Sequence, residues 1–295
     1  MIRLEERPAE NKPLAIAFVL SAALIFACSD AVSKVMVAQI HPVEASWIRS
    51  VVVMIITLPI AYRRRGKAIF LPHSPLKQVL RGAGVLMSSL LFLTGLTYLP
   101  LADASAINFI WPVLITVFAV VFLGEKVGIR RVSATIVGFL GMLLIVRPGS
   151  SSFQMAAIYP LGGAAFWALS NVMTRSMSAT DPPETTIVWS SAVMLLGTTI
   201  LLPFVWITPS FHLIMLGTIV GIGSAVAHAL IVFALERSNA STLAPFSYIQ
   251  LVWATLIGYL VFNTIPDRWI FAGATLIVAS GLYTAHRERV RGRTT

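Results

Sequence analysis

Asp30 and Lys34 stand four residues apart in a run that is otherwise apolar from Leu14 to Ala38, so a helix would put both on one face. A carboxylate and an ammonium placed like this can pair, hold a charged molecule or exchange a proton, and hydrocarbon tolerates them only with partners. Arg49 lies about 9 Å of helix beyond Val43, at a depth close to that of Lys34. The three residues are expected to form one charged cluster. It reads either as a site for an anionic or zwitterionic molecule or as a buried ion pair that locks two helices, with Lys34 reaching outward on its long stem. His228 is deep in another apolar run, and the ordinary histidine pKa near 6.5 lets such a ring change charge under working conditions. Lining a cavity and a purely structural hydrogen bond are its two readings.

Amides and aromatics supply the remaining candidates. Asn108, Trp111 and Pro112 share one apolar run; Pro245, Tyr248, Gln250 and Trp253 share another; Trp167 and Asn171 share a third. A proline within a helix frees a carbonyl and lets the helix bend, which makes Pro112 and Pro245 candidate gating residues. Aromatic faces beside amides suit a planar or amphipathic molecule, although each ring alone fits an interface anchor or bundle filler equally well. Asp103, Asn239 and Ser241 sit where helix N-caps are expected. Cys28 is the single cysteine, which excludes an intrachain disulfide, and no second His or Cys accompanies His228 to hold a metal. No HExxH, GxSxG or P-loop is present, so neither an enzyme nor a cofactor is expected.

These residues must be positioned by ten hydrophobic stretches, each of roughly the 20 residues that cross a bilayer. They run approximately from Leu14 to Ala38, Val43 to Tyr62, Val79 to Leu99, Ala102 to Leu123, Ile129 to Val146, Met155 to Met177, Thr185 to Ile207, His212 to Leu235, Ser241 to Phe262 and Trp269 to Ala285. With 57% hydrophobic and 12% charged residues, the chain has too little polar surface to clothe a water-soluble core. Its net charge of +10 sits in the loops of one side: with the N-terminus cytoplasmic, 18 of 22 Lys and Arg fall inside, Lys77 and Arg81 among them. The positive-inside rule therefore expects both termini in the cytoplasm, and a nucleic-acid partner is not expected.

The chain also repeats itself. An offset of 141 sets Ser29 on Ser170, Asp30 on Asn171, Lys34 on Arg175 and Pro42 on Pro183, and an offset of 138 sets Leu101 to Ala104 on Asn239 to Thr242. Five spans per half is an odd number, so the second half must enter the membrane from the opposite side. The fold class expected is an all-α polytopic membrane protein of ten transmembrane helices, built as two inverted five-helix repeats around a central cavity. The divisions are a tail over 1–12, repeats over 13–149 and 150–286, and a basic tail over 287–295. Gly217 and Gly221, and the small residues of the fifth and tenth spans, permit close helix contact within the chain or across a homodimer.

The block "LPLADASAINFIWPVLITVFAVVFLGEKVGIRRVSATIVGFLGMLLIVRPG" from Leu99 to Gly149 and the block "LERSNASTLAPFSYIQLVWATLIGYLVFNTIPDRWIFAGATLIVASGLY" from Leu235 to Tyr283 resemble the EamA type of the drug/metabolite transporter superfamily. That resemblance implies a cavity lined by the first, third, fourth, sixth, eighth and ninth spans. It implies a secondary-active carrier in the cell inner membrane that moves a small organic metabolite, zwitterionic or planar, by alternating access. Drug or amino-acid efflux by the same fold is the alternative, and a channel or membrane enzyme a remote one. Coupling, if protons drive the cycle, is assigned to Asp30 and His228.

Overall fold

The computed structural model describes residues 11–124, 129–147, 155–177, 180–238, 243 and 246–291, with side chains at 129–131, 236, 284–285 and 287–291 left aside. Pro245, Glu125, Lys126, Asn239 and Ser241 lie outside the described residues or segments. The described residues form eleven α-helices joined by short turns: α1 Lys12–Val37, α2 Pro42–Arg65, α3 Pro75–Tyr98, α4 Leu101–Asn108, α5 Trp111–Leu123, α6 Ile129–Val146, α7 Ile158–Met177, α8 Pro183–Leu201, α9 Phe211–Arg237, α10 Ile249–Phe262 and α11 Arg268–Arg291. Six segments are long and apolar enough to cross a membrane, α4 and α5 counting together, and the helices at 132–146, 249–262 and 268–283 are shorter and apolar. Large apolar side chains such as Ile55, Ile60, Leu80, Ile219 and Leu260 stay exposed on the outside of the bundle. An exterior of that kind needs lipid around it.

Local chemistry sets the helix ends. Asn11 Oδ1 accepts the Leu14 N–H at 3.1 Å, and Ser210 Oγ accepts that of Leu213 at 3.3 Å, each capping the helix it precedes. Pro42 and Pro183 open α2 and α8, where a missing N–H costs nothing. Gly124 closes α5 and Asn263 closes α10 in the left-handed conformation, at φ 65° and 52°. The helix α3 starts at Pro75, ahead of the Val79 expected from hydropathy, so Arg81, counted above with the inner cations, lies nearly two turns inside it. Asp103 is the third residue of α4, in its first turn, and the N-cap is Pro100, so Asp103 does not cap that helix.

The fourth span is broken. Pro112 cannot donate to the Asn108 carbonyl, and Val113 bonds the Ile110 carbonyl at 3.0 Å in a tighter turn. The ninth span shows the same device at the offset of 138: Leu251 donates to Tyr248 at 3.0 Å, and α10 starts at Ile249 as α5 starts at Trp111.

Packing between the halves follows one exchange rule. The helix α1 packs on α9 and α10, and its counterpart α7 packs on α3 and α5; α2 packs on α9 as α8 packs on α3. Glycines show the rule at atomic scale. A Cβ on Gly82 would lie 2.7 Å from the Val193 Cβ, and one on Gly221 would lie 2.6 Å from that of Val52. Gly84 meets Ser170 as Gly223 meets Ser29. Every such pair is related by offsets of 139 and 141 residues. Counterpart helices run antiparallel: Trp47 at the start of α2 donates to Thr199 at the end of α8, while Arg64 and Arg65 at the end of α2 pair with Glu184 at the start of α8. The halves are therefore inverted. Gly217 and Gly221 are filled by Ile48 and Val52 of α2, and Gly141 of α6 meets Gly273 of α11, so all four serve packing inside the chain.

Candidate functional site

The polar side chains of the interior converge on the seam between the halves. Asp30 is half-buried on α1, and its Oδ2 accepts from Gln250 Nε2 at 3.3 Å, which ties the first half to the opening turn of α10. The broken ninth span is what delivers that amide. Arg49 projects from α2 and donates through Nη2 to Ser89 Oγ of α3, with Ser46 Oγ 3.4 Å from the same hydroxyl. Asp30 and Arg49 attract one another electrostatically without a contact inside 4.0 Å. Lys34 turns away from them. Its Nζ donates to the Leu96 and Leu99 carbonyls at 2.8 and 2.6 Å, caps α3 and lies 5.7 Å from the Phe262 ring centre. The free carbonyls ending α3 hold an ammonium better than an acid already engaged by an amide does. Of the expected cluster, then, Asp30 and Arg49 come together and Lys34 joins another group near Asp103.

His228 lies on α9, deep among the protein's atoms and in electrostatic range of both Arg49 and Arg81, yet its ring keeps exposed surface. The ring stands edge-on to Phe26 at 5.1 Å, and Nδ1 is 2.7 Å from the Ser224 carbonyl.

Arg81 is the interior charge that sequence reasoning counted with the inner basic residues, although it lies past the expected Val79 start of the third span. Its Nε donates to Thr174 Oγ1 at 3.2 Å, and its Nη1 donates to the Thr186 carbonyl at 3.3 Å and to Ser190 Oγ. Ser170 returns a bond from its hydroxyl to the Arg81 carbonyl at 3.1 Å. Ser190 is the counterpart of Arg49 at the offset of 141. The glycine pattern Gly82-Ala83-Gly84, matched by Gly221-Ile222-Gly223 at an offset of 139, is the signal that places Arg81 in a buried helix. Its counterpart there is Val220.

The amides and rings divide. Asn171 beside this ridge donates to the Trp167 carbonyl at 2.8 Å, and both side chains are half-buried on α7. Asn108 Oδ1 and Trp253 Nε1 are buried with no protein partner among the described residues, at the broken fourth span and on α10. Buried polar atoms of this kind are costly unless something else meets them. Trp111 and Pro112 are half-buried at the break itself. Tyr248 is buried against Phe109, at 5.8 Å between ring centres, and against Gly281, which makes it a packing residue.

Comparison with known proteins agrees with this architecture. The family model of the EamA-like transporters matches residues 13–147 and again 154–284. An S-adenosylmethionine uptake transporter of Rickettsia bellii is 24% identical over 276 residues, covering 94% of both chains. A riboflavin transporter of Rhizobium johnstonii is 29% identical over 232 residues, 78% of this chain and 77% of its own. That of Vibrio cholerae is 31% identical over 205 residues, 69% of each. A solved crystal structure at 18% identity aligns with 95% of this chain and 99% of its own at a TM-score of 0.66, which supports the fold. Matched once per half and over nearly its whole length, this polytopic chain belongs to the EamA-like transporter family, and it is a transporter and not an enzyme.

Proposed function

We propose that the chain is a secondary-active carrier in the cell inner membrane, with both termini cytoplasmic, moving a small zwitterionic or planar metabolite by alternating access without ATP. The observation that carries this reading is the exchange rule between the halves. When Gly82 with Val193 and Gly84 with Ser170 can trade geometry with Gly221 with Val52 and Gly223 with Ser29, two packings of the bundle have similar energy. One opens inward and the other outward, about a site held at the seam. The solute class follows the relatives named for S-adenosylmethionine and riboflavin. Repeat units over 13–149 and 150–286, gating at Pro112 and Pro245, and proton coupling through Asp30 and His228 belong to the same proposal.

Proteoliposomes holding the full chain test it. Labelled S-adenosylmethionine and riboflavin are offered with and without an imposed pH gradient, and with excess unlabelled solute trapped inside. Saturable uptake accelerated by the trapped solute is expected for one of them. Equal, unsaturable flux of both, unaffected by trapped solute, would mean a pore and end the carrier reading.

A further inference from the structure

We infer that the turn joining α2 to α3 is a docking surface for an anionic phospholipid, whose phosphate sits among Arg63, Arg64, Arg65 and Lys67 and whose acyl chains lie against Phe70 and Leu71. The leaflet is the cytoplasmic one, a placement that rests on the topology of the carrier reading. A hydrocarbon core of about 30 Å takes up roughly 20 residues of helix, so α2, which starts at Pro42, leaves it near Tyr62. Ile55, Pro59 and Tyr62 share one helical face and all three are exposed, which makes this the face that lipid covers. The three arginines follow at once, at headgroup depth. Gly66 then turns the chain at φ 59°, and residues Gly66–Phe70 form a short 3₁₀ helix. Ile69 pins that helix to the bundle: its side chain is fully buried with Leu58, Ala61 and Val188, and its carbonyl accepts from Trp189 Nε1 at 3.2 Å. Beside this anchor Phe70 and Leu71 stay 49% and 80% exposed. The Phe70 ring centre lies 6.5 Å from that of Tyr62, which keeps it next to the lipid-covered face of α2.

The charges of this turn are barely balanced by the protein. Arg64 Nη1 and Arg65 Nε reach the Glu184 carboxylate only at 3.8 and 3.6 Å, and both arginine side chains are about half exposed. Contacts so long and so wet hold the arginines weakly. Among the described residues Arg63 and Lys67 have no carboxylate within 4.0 Å. Asp181, also at this end, is buried and engaged by the His73 N–H at 2.7 Å and by Gln78 at 2.9 Å. Four cations therefore face the one carboxylate of Glu184 and adjoin an exposed aromatic and an exposed aliphatic side chain. A phospholipid with net negative charge matches both features, phosphate to guanidinium and acyl chain to ring. A soluble acidic protein or a nucleic acid would meet the charges and leave Phe70 and Leu71 in water.

Three probes separate lipid from charge: phosphatidylglycerol, phosphatidylcholine and free glycerol 3-phosphate, each added to the purified full chain in detergent micelles. Phosphatidylglycerol is expected to raise the unfolding temperature at concentrations where the other two do not. Changing Arg63, Arg65 and Lys67 together to Gln should weaken its apparent binding about tenfold or more. Phe70→Ser combined with Leu71→Ser should weaken it as well, and Glu184→Gln should tighten it by releasing Arg64 and Arg65. Position is read from the fluorescence of Phe70→Trp in nanodiscs of phosphatidylcholine holding a minority of phosphatidylglycerol. Quenching should be stronger with brominated phosphatidylglycerol than with the same amount of brominated phosphatidylcholine. Should the triple variant not fold, the sign of the Glu184→Gln effect and the quenching decide. Equal stabilisation by phosphatidylcholine or by glycerol 3-phosphate, an undiminished effect of phosphatidylglycerol on the triple variant, weaker binding in Glu184→Gln, or equal quenching by the two lipids overturns the inference. His73→Cys, in a chain whose Cys28 is replaced by Ala, keeps the two readings apart. Its labelling by an impermeant maleimide outside intact cells sinks the cytoplasmic placement alone, and its protection there, with no preference for phosphatidylglycerol, sinks the lipid dock alone.

Discussion

Hydroxyl groups do much of the electrostatic work at the seam. Ser89, Ser190 and Thr174 solvate two arginines without cancelling their charge. Asp30 is the group through which the first half reaches Gln250 of the second. Asp30→Asn keeps the hydrogen bond and loses the charge, so uptake in proteoliposomes should fall at least about tenfold while membrane insertion is retained. Equal loss of both would make Asp30 a structural residue. Lys34→Met removes two charged hydrogen bonds to the α3 carbonyls and should cost about 2 kcal/mol of stability, read as a lower unfolding temperature in detergent. Asp30, Arg49 and His228 were legible in the sequence because each is a polar type inside an apolar run. Arg81 was not, since it stands two residues past the expected Val79 start of the third span and four after Lys77, where it counts as one more inner-face cation. That Lys34 faces α3 and not Asp30 depends on where the α3 carbonyls end, a tertiary fact with no local sequence signal.

At the scale of elements, the broken fourth and ninth spans are joints placed at one repeat position. Pro112→Ala gives back an N–H that can close on the Asn108 carbonyl, straightening α4 into α5. Transport is expected to slow severalfold with the unfolding temperature unchanged or raised, whereas an unchanged rate would remove Pro112 from the gating proposal. Glycine contacts are the opposite, rigid kind of feature. Gly84→Val drives a side chain into Ser170 and should destabilise by about 1–3 kcal/mol, and Gly223→Val against Ser29 should cost a similar amount. A large loss at one site with none at the other would break the symmetry between them. The ten-span architecture and the break at Pro112 were readable from apolar runs and proline, while the second and seventh spans, expected from Val43 and Thr185, start at Pro42 and Pro183. Helix register was not, because an all-apolar helix offers no amphipathic stripe to say which face meets which neighbour.

For the whole molecule, contacts between the halves occur at both ends of the bundle. Arg64 and Arg65 with Glu184, and Asp181 with Gln78 and the His73 N–H, fasten one end; Arg147 with Asp267 fastens the other. Alternating access requires each end to part in turn. In a chain whose Cys28 is replaced by Ala, cysteines introduced at 147 and 267 should cross-link on oxidation, arrest uptake and release it on reduction. Uptake that continues through a complete cross-link would exclude separation at that end.

Asp30, Arg49 and Arg81 have the neutral counterparts Asn171, Ser190 and Val220, so the internal symmetry is broken by three charges whose sum is one positive charge. An empty carrier that swings this charge part-way through the bilayer performs electrical work, up to about 2.3 kcal/mol per 100 mV for a full crossing. A carrier occupied by a monoanion performs none. The resting voltage of the cell would then act on the return stroke, biasing which way the empty carrier faces and so shifting both the rate of turnover and the apparent affinity for cargo.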